Sequence, residues 1–326
     1  MRRRGFLRTV GVMLLGASWR ADAQRAASMP RIGFLTPEGT TPGEPAFWQG
    51  MRDLGYIEGK SIVVDRRSAD GDLARLPALA VELAKLRPDI IAAIATASAI
   101  AAQQATATIP IVMVGVSDPV SSGLVGNLAR PGGNVTGTSL QANAVVGKQI
   151  ELIHQLLPNA TRIAALWNPA NVIHQQLMLS EALAAGARQR LLVRIGEVRA
   201  AKELDSAFTT LESERPDAVL MLADSMFISN AARIGELALA HRLPVISGGS
   251  GVLAQAGILA TYGADVADVA RRSAAYVQKI LRGAKPGDLA VELPTKFELI
   301  INARTAKALG IHVPASVLTR ADEVIR

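Results

Sequence analysis

The chain of 326 residues contains no cysteine. It therefore has no disulfide framework, and no cysteine is present near the N-terminus to carry a lipid anchor. A chain of this length can bury the cores of two ordinary domains without crosslinks. Aromatic residues make up only 4% of the chain, against 49% for all hydrophobic residues. This composition is typical of a soluble α/β protein whose helices present small residues to a sheet.

The motifs of enzymes built on α/β sheets are also missing. The chain has no glycine-rich phosphate loop of either common type. Residues 248–252 approach the hydrolase motif G-x-S-x-G around Ser250, but Val252 occupies the position of the second glycine. The four histidines are isolated, with no partner at metal-binding spacing. We therefore expect no catalytic residues, no metal and no cofactor.

Long apolar runs are absent after the N-terminal region, so we expect no transmembrane helix in the mature chain. The first residues read as a targeting segment, with four early arginines, an apolar stretch over 10–19 and the cleavage pattern Ala21-Asp22-Ala23. We predict a signal peptide over residues 1–23, cleaved near Ala23. Residues 3–8, R-R-G-F-L-R, resemble a twin-arginine motif, and an ordinary Sec signal stays open as the alternative.

Charge gives little sign of a nucleic-acid partner. The formal net charge is +7, and removal of residues 1–23 takes away five arginines and one aspartate, leaving +3. A nucleic-acid-binding protein would show a concentrated basic face instead. With an export signal and no anchoring cysteine, we expect a periplasmic monomer that diffuses freely.

After Pro30 the chain alternates strand-length apolar runs with longer helical patterns, which predicts an α/β fold with parallel sheets covered on both faces. The strands of a first series are predicted at 31–36, 61–66, 90–96, 109–116 and 135–140, and those of a second at 162–168, 191–195, 218–223, 243–247 and 258–262. Helices are predicted between them, for example at 73–86, 172–187, 200–214, 229–241 and 265–281.

The two series repeat each other. Arg87-Pro88-Asp89 precedes a strand in the first, and Arg215-Pro216-Asp217 does so in the second. Ile109-Pro110-Ile111-Val112 is similarly matched by Leu243-Pro244-Val245-Ile246. Proline before a buried strand ends the preceding helix, and two matches in the same order indicate two similar βα lobes. The Gly- and Pro-rich loop over 129–134 lies just before the chain passes between them.

Polar residues follow the carboxyl ends of the predicted strands, where open α/β sheets bind ligands. The candidates are Thr36, Glu38, Thr96, Ala97, Ser98, Ser117 and Asp118 in the first series, and Asn168, Asn171, Asp224, Ser225, Ser247, Ser250 and Tyr262 in the second.

These side chains suit hydrogen bonding to a small polar ligand. Thr96 and Ser98 could hold a carboxylate at a helix start, and Asp224 could pair with an ammonium group. The alternative that these three residues are only helix N-caps stays open, as does a turn role for Asp118. Core packing is the default for the nearby aromatics Phe47, Trp48 and Trp167, but an apolar part of the ligand would need one of them.

At this point the sequence resembles the periplasmic substrate-binding proteins of ABC transporters, of the type that includes tryptophan- and tyrosine-binding members. The similar stretches cover almost the whole mature chain, and two are specific: R-P-G-G-N-V-T-G at 130–137 and P-T-K-F-E-L at 294–299. Others lie at 31–35, 54–60, 105–112, 117–120, 123–125, 276–286 and 320–325.

The resemblance implies the type I periplasmic-binding fold, with two Rossmann-like lobes joined by a hinge of crossover segments and the ligand between them. On that basis we expect one lobe over 29–140 plus 266–292 and the other over 141–265 plus 293–326. The implied function is that of the solute-binding component of an importer, which delivers a small polar ligand, such as an amino acid or a related metabolite, to an inner-membrane permease. A periplasmic ligand sensor that partners a membrane receptor is the alternative, because fold does not determine function.

Overall fold

The computed structural model describes residues 29–39, 41, 43–249 and 251–326. The signal peptide predicted over residues 1–23 and the candidate contact Ser250 lie outside these residues. Within the described ranges, no helix is both long and apolar enough to cross a membrane.

The first half of the chain builds a parallel sheet of five described strands in the order β2-β1-β3-β4-β5. Its strands are β1 (Arg31–Thr36), β2 (Val63–Ser68), β3 (Ile90–Ile94), β4 (Ile111–Val116) and β5 (Val135–Ser139). The helices within this part are α1 (Glu44–Asp53), α2 (Leu76–Lys85) and α3 (Ala95–Ala105). Every residue of β3 and β5 is buried, as expected for parallel strands with both faces covered.

The second half builds a sheet of seven described strands in the order β12-β11-β10-β9-β8-β6-β7. They are β6 (Arg162–Trp167), β7 (Leu192–Glu197), β8 (Ala218–Met221), β9 (Val245–Ser247), β10 (Ala260–Ala264), β11 (Phe297–Asn302) and β12 (Glu323–Ile325). The helices are α4 (Val146–Leu156), α5 (Val172–Arg188), α6 (Leu204–Glu214), α7 (Ser225–Ser229), α8 (Ala231–Ala240), α9 (Gly251–Gln255), α10 (Val266–Leu281), α11 (Ala303–Leu309) and α12 (Ala315–Leu318). Strand β11 runs antiparallel to β10.

All ten strands predicted from the sequence form, in the predicted order and in two sheets. Their ends differ by a few residues. The clearest difference is at β3, which was expected to reach Thr96 but ends at Ile94, because helix α3 begins immediately afterwards at Ala95. Strands β11 and β12 were not predicted.

Helix α10 follows β10 of the second sheet but packs on the first sheet. Its residues Ala270, Ala274 and Val277 are buried in one cluster with Phe34 and Phe47, and it contacts α1, β3, β4 and β5. The chain then returns to the second sheet at β11. Each sheet is therefore completed by a segment distant in sequence.

The repeated R-P-D triplets have the same structural role in both halves. Arg87 and Arg215 both have a backbone φ of 50°, in the left-handed region that ends a helix. The carboxylate of Asp89 accepts a hydrogen bond of 2.8 Å from the Arg31 backbone N–H at the start of β1. The carboxylate of Asp217 accepts bonds of 2.7 and 2.9 Å from the Thr161 and Arg162 backbone N–H groups at the start of β6. The aspartate thus ties the start of one strand to the start of its neighbour.

Replacing Asp217 with alanine is expected to lower the free energy of unfolding by roughly 1–2 kcal/mol, because two backbone donors lose a charged acceptor. Burial acts to raise the pKa of Asp217, but the hydrogen bonds from Thr161 and Arg162 outweigh it and lower the pKa below its usual value. The stabilisation is therefore complete above the unfolded-state pKa, near 3.9, and is lost as the pH falls through the lower folded-state pKa.

Urea unfolding of the wild type and of Asp217→Ala at pH 7 and near pH 2.5 measures this difference. Glu214→Ala is the matched control, since Glu214 is an exposed carboxylate only three residues away. An Asp217→Ala protein no less stable at pH 7 than Glu214→Ala would contradict the role of the triplet.

Candidate ligand-binding site

A cavity of about 110 Å³ lies between the two sheets. It is lined from both sides by the loops and helix starts at the carboxyl ends of the strands. One wall includes Thr41, Ala95, Thr96, Ala97, Gly115 and Ser117, and the other includes Asn171, Ala223, Asp224, Ser225, Ile228 and Ser229. This is the location at which open α/β sheets bind ligands.

The first wall is built around the abrupt turn from β3 into α3. Ala95 has a backbone φ of 64°, a conformation that costs a residue other than glycine about 1 kcal/mol. The turn brings the first residues of the 11-residue helix α3 against the cavity. The Thr96 hydroxyl accepts a hydrogen bond of 3.2 Å from the Ser117 backbone N–H, which joins the loops after β3 and β4. A helix N-terminus in this position favours a negatively charged group of a ligand.

The second wall is centred on Asp224, whose side chain is buried at 2% exposure. Its Oδ1 accepts hydrogen bonds from the Met226 backbone N–H at 3.0 Å and from Asn168 Nδ2 at 3.2 Å. Its Oδ2 accepts one from Asn171 Nδ2 at 2.8 Å. Asp224 therefore caps helix α7 and lines the cavity at the same time. The sequence left open whether Asp224 is a helix N-cap or a ligand contact, and its position is compatible with both roles.

Six of the predicted residues line the cavity: Thr96, Ala97, Ser117, Asn171, Asp224 and Ser225. Asn168 supports Asp224 from behind. None of the other described candidates is among the lining residues.

Asp118 lies beside this cavity and lines a smaller pocket. Its carboxylate accepts hydrogen bonds from the Val120 and Ser121 backbone N–H groups at 3.1 and 3.0 Å and from Asn143 Nδ2 at 3.1 Å. These bonds correspond to the turn role considered for it. Ser98 lies one turn into α3 and is fully buried, away from the described cavity lining.

Thr36, Ser247 and Tyr262 contribute to the shape of the surrounding protein. The Thr36 hydroxyl donates to the Glu38 carbonyl at 2.7 Å, and the Ser247 hydroxyl donates to the Met221 carbonyl at 2.9 Å. The Tyr262 ring packs against Phe297 with 6.3 Å between ring centroids.

The apolar part of the described lining is aliphatic. It includes Ile94, Val114, Leu140, Ile228 and Val266. Phe47, considered as a contact for an apolar ligand, is instead fully buried beside Phe34. The Arg66 guanidinium lies over the Trp48 ring, with its Cζ atom 4.8 Å from the ring centroid. Trp167 packs against the core of the second sheet.

Several lining residues were missed at the sequence level. Thr41 lies in the loop after β1. Its position could have indicated a ligand contact, because the end of β1 was predicted correctly. Leu140 follows β5 directly, so its position at a strand end was also a usable signal. Val266 and Ala270 gave no signal, because only tertiary packing brings the start of α10 to the cavity.

Glu38 lies in the same loop after β1 and is 8% exposed. Its Oε1 atom is buried without a hydrogen-bond partner among the described residues. Burial, then the negative charges of Asp224 and Asp70, raise the pKa of Glu38 to about 7. A carboxyl group in such surroundings titrates near neutral pH.

Comparison with known proteins identifies the family of this chain. The family model described as ABC transporter substrate binding protein matches residues 43–325. A tyrosine-binding protein of Clostridioides difficile strain R20291 is 30% identical over 265 residues, which cover 81% of this chain and 75% of that protein.

Two solved structures are similar over nearly the whole chain. The ABC domain from Streptococcus pneumonia in complex with L-Trp is 27% identical, with a TM-score of 0.83 over 91% of this chain and 100% of that chain. The ligand-free, open structure of a substrate binding protein with adhesive properties from Clostridium difficile is 26% identical, with a TM-score of 0.63 over 91% of this chain and 99% of that chain. The fold is the type I periplasmic-binding fold, as the sequence predicted.

Proposed function

Since this chain belongs to the ABC transporter substrate-binding protein family, we propose that it is the periplasmic component of an importer that captures an amino acid with an apolar side chain. Members of the family bind a solute, and the chain is accordingly a binding protein and not an enzyme. A permease in the inner membrane is the proposed recipient of the captured amino acid.

The observation that carries the proposed ligand class is the pairing of opposite charges across one cavity. The N-terminus of α3 on one wall favours a carboxylate, and the buried Asp224 carboxylate on the other favours an ammonium group. Aliphatic residues line the space between them. A zwitterion with an apolar side chain satisfies all three features. The names of two relatives, a tyrosine-binding protein and a complex with L-Trp, agree with this ligand class.

We propose that the lobes close on the amino acid by a hinge motion. In support, the TM-score falls from 0.83 for a relative with bound ligand to 0.63 for an open, ligand-free relative of nearly the same identity. The proposed lobes are 29–140 with 266–292 and 141–265 with 293–326. The membership of the strands in two sheets and the packing of α10 on the first sheet support these boundaries.

The proposed location follows from the N-terminal sequence and the family. We propose that residues 1–23 direct export and are removed near Ala23, and that the mature protein acts as a periplasmic monomer. N-terminal sequencing of protein from the periplasmic fraction tests the cleavage position directly.

The proposed function predicts that one or a few apolar L-amino acids stabilise the mature protein. A ligand that binds the native state alone stabilises it by about 2.7 kcal/mol at a concentration one hundred times its Kd. The measurement is a thermal-shift screen of residues 24–326 against the protein L-amino acids. The methyl ester and the decarboxylated amine of each stabilising compound serve as matched controls, since each lacks the carboxylate, and the N-acetyl derivative lacks the ammonium charge.

We expect the parent amino acid to raise the Tm and all three derivatives to fail. Stabilisation by a derivative as strong as by the parent would contradict recognition of the zwitterion. Mass spectrometry of small molecules released by denaturing gently purified protein would identify the bound solute independently. A well-folded protein that no compound stabilises, and that releases none, would contradict the proposed function.

A further inference from the structure

The side chain of Glu38 lacks the partners that a buried carboxyl group needs. Buried polar groups in proteins are nearly always hydrogen-bonded, yet Glu38 Oε1 has no partner among the described residues. Its other oxygen faces Gly71, where a Cβ atom would lie 3.3 Å from Glu38 Oε2. The surrounding protein therefore encloses this carboxyl group closely but leaves one oxygen unsatisfied.

A second polar group on the same loop is also unsatisfied. Thr41 is 8% exposed, and its hydroxyl oxygen is buried without a partner among the residues that the structure describes. Thr41 lines the cavity. The loop after β1 thus presents one carboxyl oxygen and one hydroxyl whose hydrogen-bonding capacity is unused beside the ligand site.

Asp224 lines the same cavity on the wall opposite Thr41. Both side chains are more than nine-tenths buried, and they interact electrostatically. Two negative charges brought together in a poorly solvated space repel each other strongly unless a cation or a proton lies between them. Because the charges belong to different lobes, this repulsion acts on the closure of the lobes.

We infer that Glu38 is a second carboxyl group of the ligand site and that the ammonium group of the ligand is held between Glu38 and Asp224. This inference deepens the proposed function and rests on it. In the closed, empty protein a proton on Glu38 leaves a single negative charge on the pair and removes the repulsion. When an ammonium group arrives, Glu38 releases that proton to the solvent, and the ligand cation takes over the neutralising role.

The other charges around Glu38 leave this arrangement intact. Asp70 is the second negative charge that acts on Glu38, and it forms an ion pair of 3.3 Å with Arg75. Asp70 itself is exposed, and the Ser68 hydroxyl and Arg75 lower its pKa. Among the described residues, the charges that act on Glu38 are therefore those of the buried Asp224 and of the exposed Asp70, and Asp70 already has a cationic partner.

The test is the number of protons released on binding. The mature protein is titrated calorimetrically at pH 7 in phosphate and in Tris, whose ionisation enthalpies differ, with the protein L-amino acid that raises the Tm most in the thermal-shift screen. We expect the wild type to release roughly half a proton per bound amino acid, because a group with a pKa of about 7 is half protonated at this pH. We expect Glu38→Gln to release none and to bind at least about tenfold more weakly.

Glu82→Gln is the matched control, since Glu82 is an exposed carboxylate of the first lobe paired with Arg67 at 2.8 Å. It should release protons as the wild type does. Binding without proton release, or equal release and affinity in Glu38→Gln, would overturn the role of Glu38 and leave the proposed function standing. If none of the protein L-amino acids binds, the proposed function is contradicted instead.

A measurement without ligand keeps the inference testable in that case. A raised folded-state pKa favours the protonated carboxyl group, so its contribution to stability is present at low pH and is lost as the pH rises through about 7. Glu38→Gln, which mimics the protonated group, should therefore have a higher Tm than the wild type at pH 8 and nearly the same Tm at pH 5. Equal Tm values at both pH values would overturn the inference without reference to any ligand.

Discussion

Replacing Asp224 with asparagine is expected to weaken amino-acid binding by about 10- to 150-fold, corresponding to ~1.5–3 kcal/mol, the range for a hydrogen bond to a charged group. The substitution removes the charge that is proposed to hold the ligand ammonium. The shape of the second wall is retained, because asparagine occupies nearly the same volume.

The hydrogen bonds around Asp224 make asparagine the appropriate replacement. Its Oδ1 atom would continue to accept from the Met226 backbone N–H and from Asn168, as Asp224 Oδ1 does. The new amide nitrogen would face Asn171 Nδ2, which now donates to Asp224 Oδ2 at 2.8 Å. The Asn171 amide can rotate to present its oxygen instead, so the helix cap survives and the charge alone is lost.

Isothermal titration with the stabilising amino acid measures the affinity, and Trp167, next to Asn168 on the second lobe, should report closure of the lobes by its fluorescence. Asp118→Asn is the control, since that carboxylate lies in the neighbouring turn rather than in the main cavity. Should Asp224→Asn bind as tightly as the wild type while remaining folded, Asp224 would be a helix cap only.

Replacing Gly137 with alanine is expected to destabilise the protein by about 3 kcal/mol, combining a strained backbone with a steric clash. Gly137 lies in β5 with a backbone φ of 137°, a region essentially reserved for glycine. A Cβ atom there would lie 2.2 Å from the Met113 carbonyl oxygen and 2.7 Å from the Met113 nitrogen. Both are backbone atoms of the adjacent strand β4, which has helices packed on it and little room to move.

Urea unfolding followed by circular dichroism measures this loss. Gly126→Ala is the matched control, because no atom lies within 4 Å of a Cβ at that position. A Gly137→Ala protein that unfolds at the same urea concentration as Gly126→Ala would show that β4 can shift away without cost.

The strands that the sequence predicted share strong local signals. Apolar runs such as residues 90–94, bounded by Arg87-Pro88-Asp89, specify both the strand and the end of the preceding helix. Strand β12 has only three residues, which is too short a run to be recognised from the sequence. Its pairing with β11 defines it. Strand β11 contains the run Leu299-Ile300-Ile301, which was an available signal. The antiparallel direction of β11, in contrast, depends on the path of α10 across the other sheet.

The candidate site was predictable where it depends on strand ends and unpredictable where it depends on side-chain direction. Thr96, Ser117 and Asp224 lie within three residues of the carboxyl ends of β3, β4 and β8, and these strand ends meet at the cavity between the two sheets. Ser98 follows the same strand as Thr96, but it lies two residues further into α3 and is fully buried. The sequence predicted a strand over 90–96, which would place Ser98 in the loop after it. In the structure the helix already begins at Ala95, so Ser98 lies within the helix. The unusual φ of Ala95 has no sequence signature in a residue other than glycine.

The path of helix α10 determines when the first sheet can complete its packing during synthesis. One face of its sheet is covered by Ala270, Ala274 and Val277, which the ribosome adds long after β5 is complete at Ser139. Domains usually fold as units from the N-terminus while the chain is being made. Here Ile32, Phe34 and Val112 of the first sheet stay partly uncovered until most of the second sheet has also been translated. The first sheet therefore reaches its complete packing only after residues 270–277 have been synthesised.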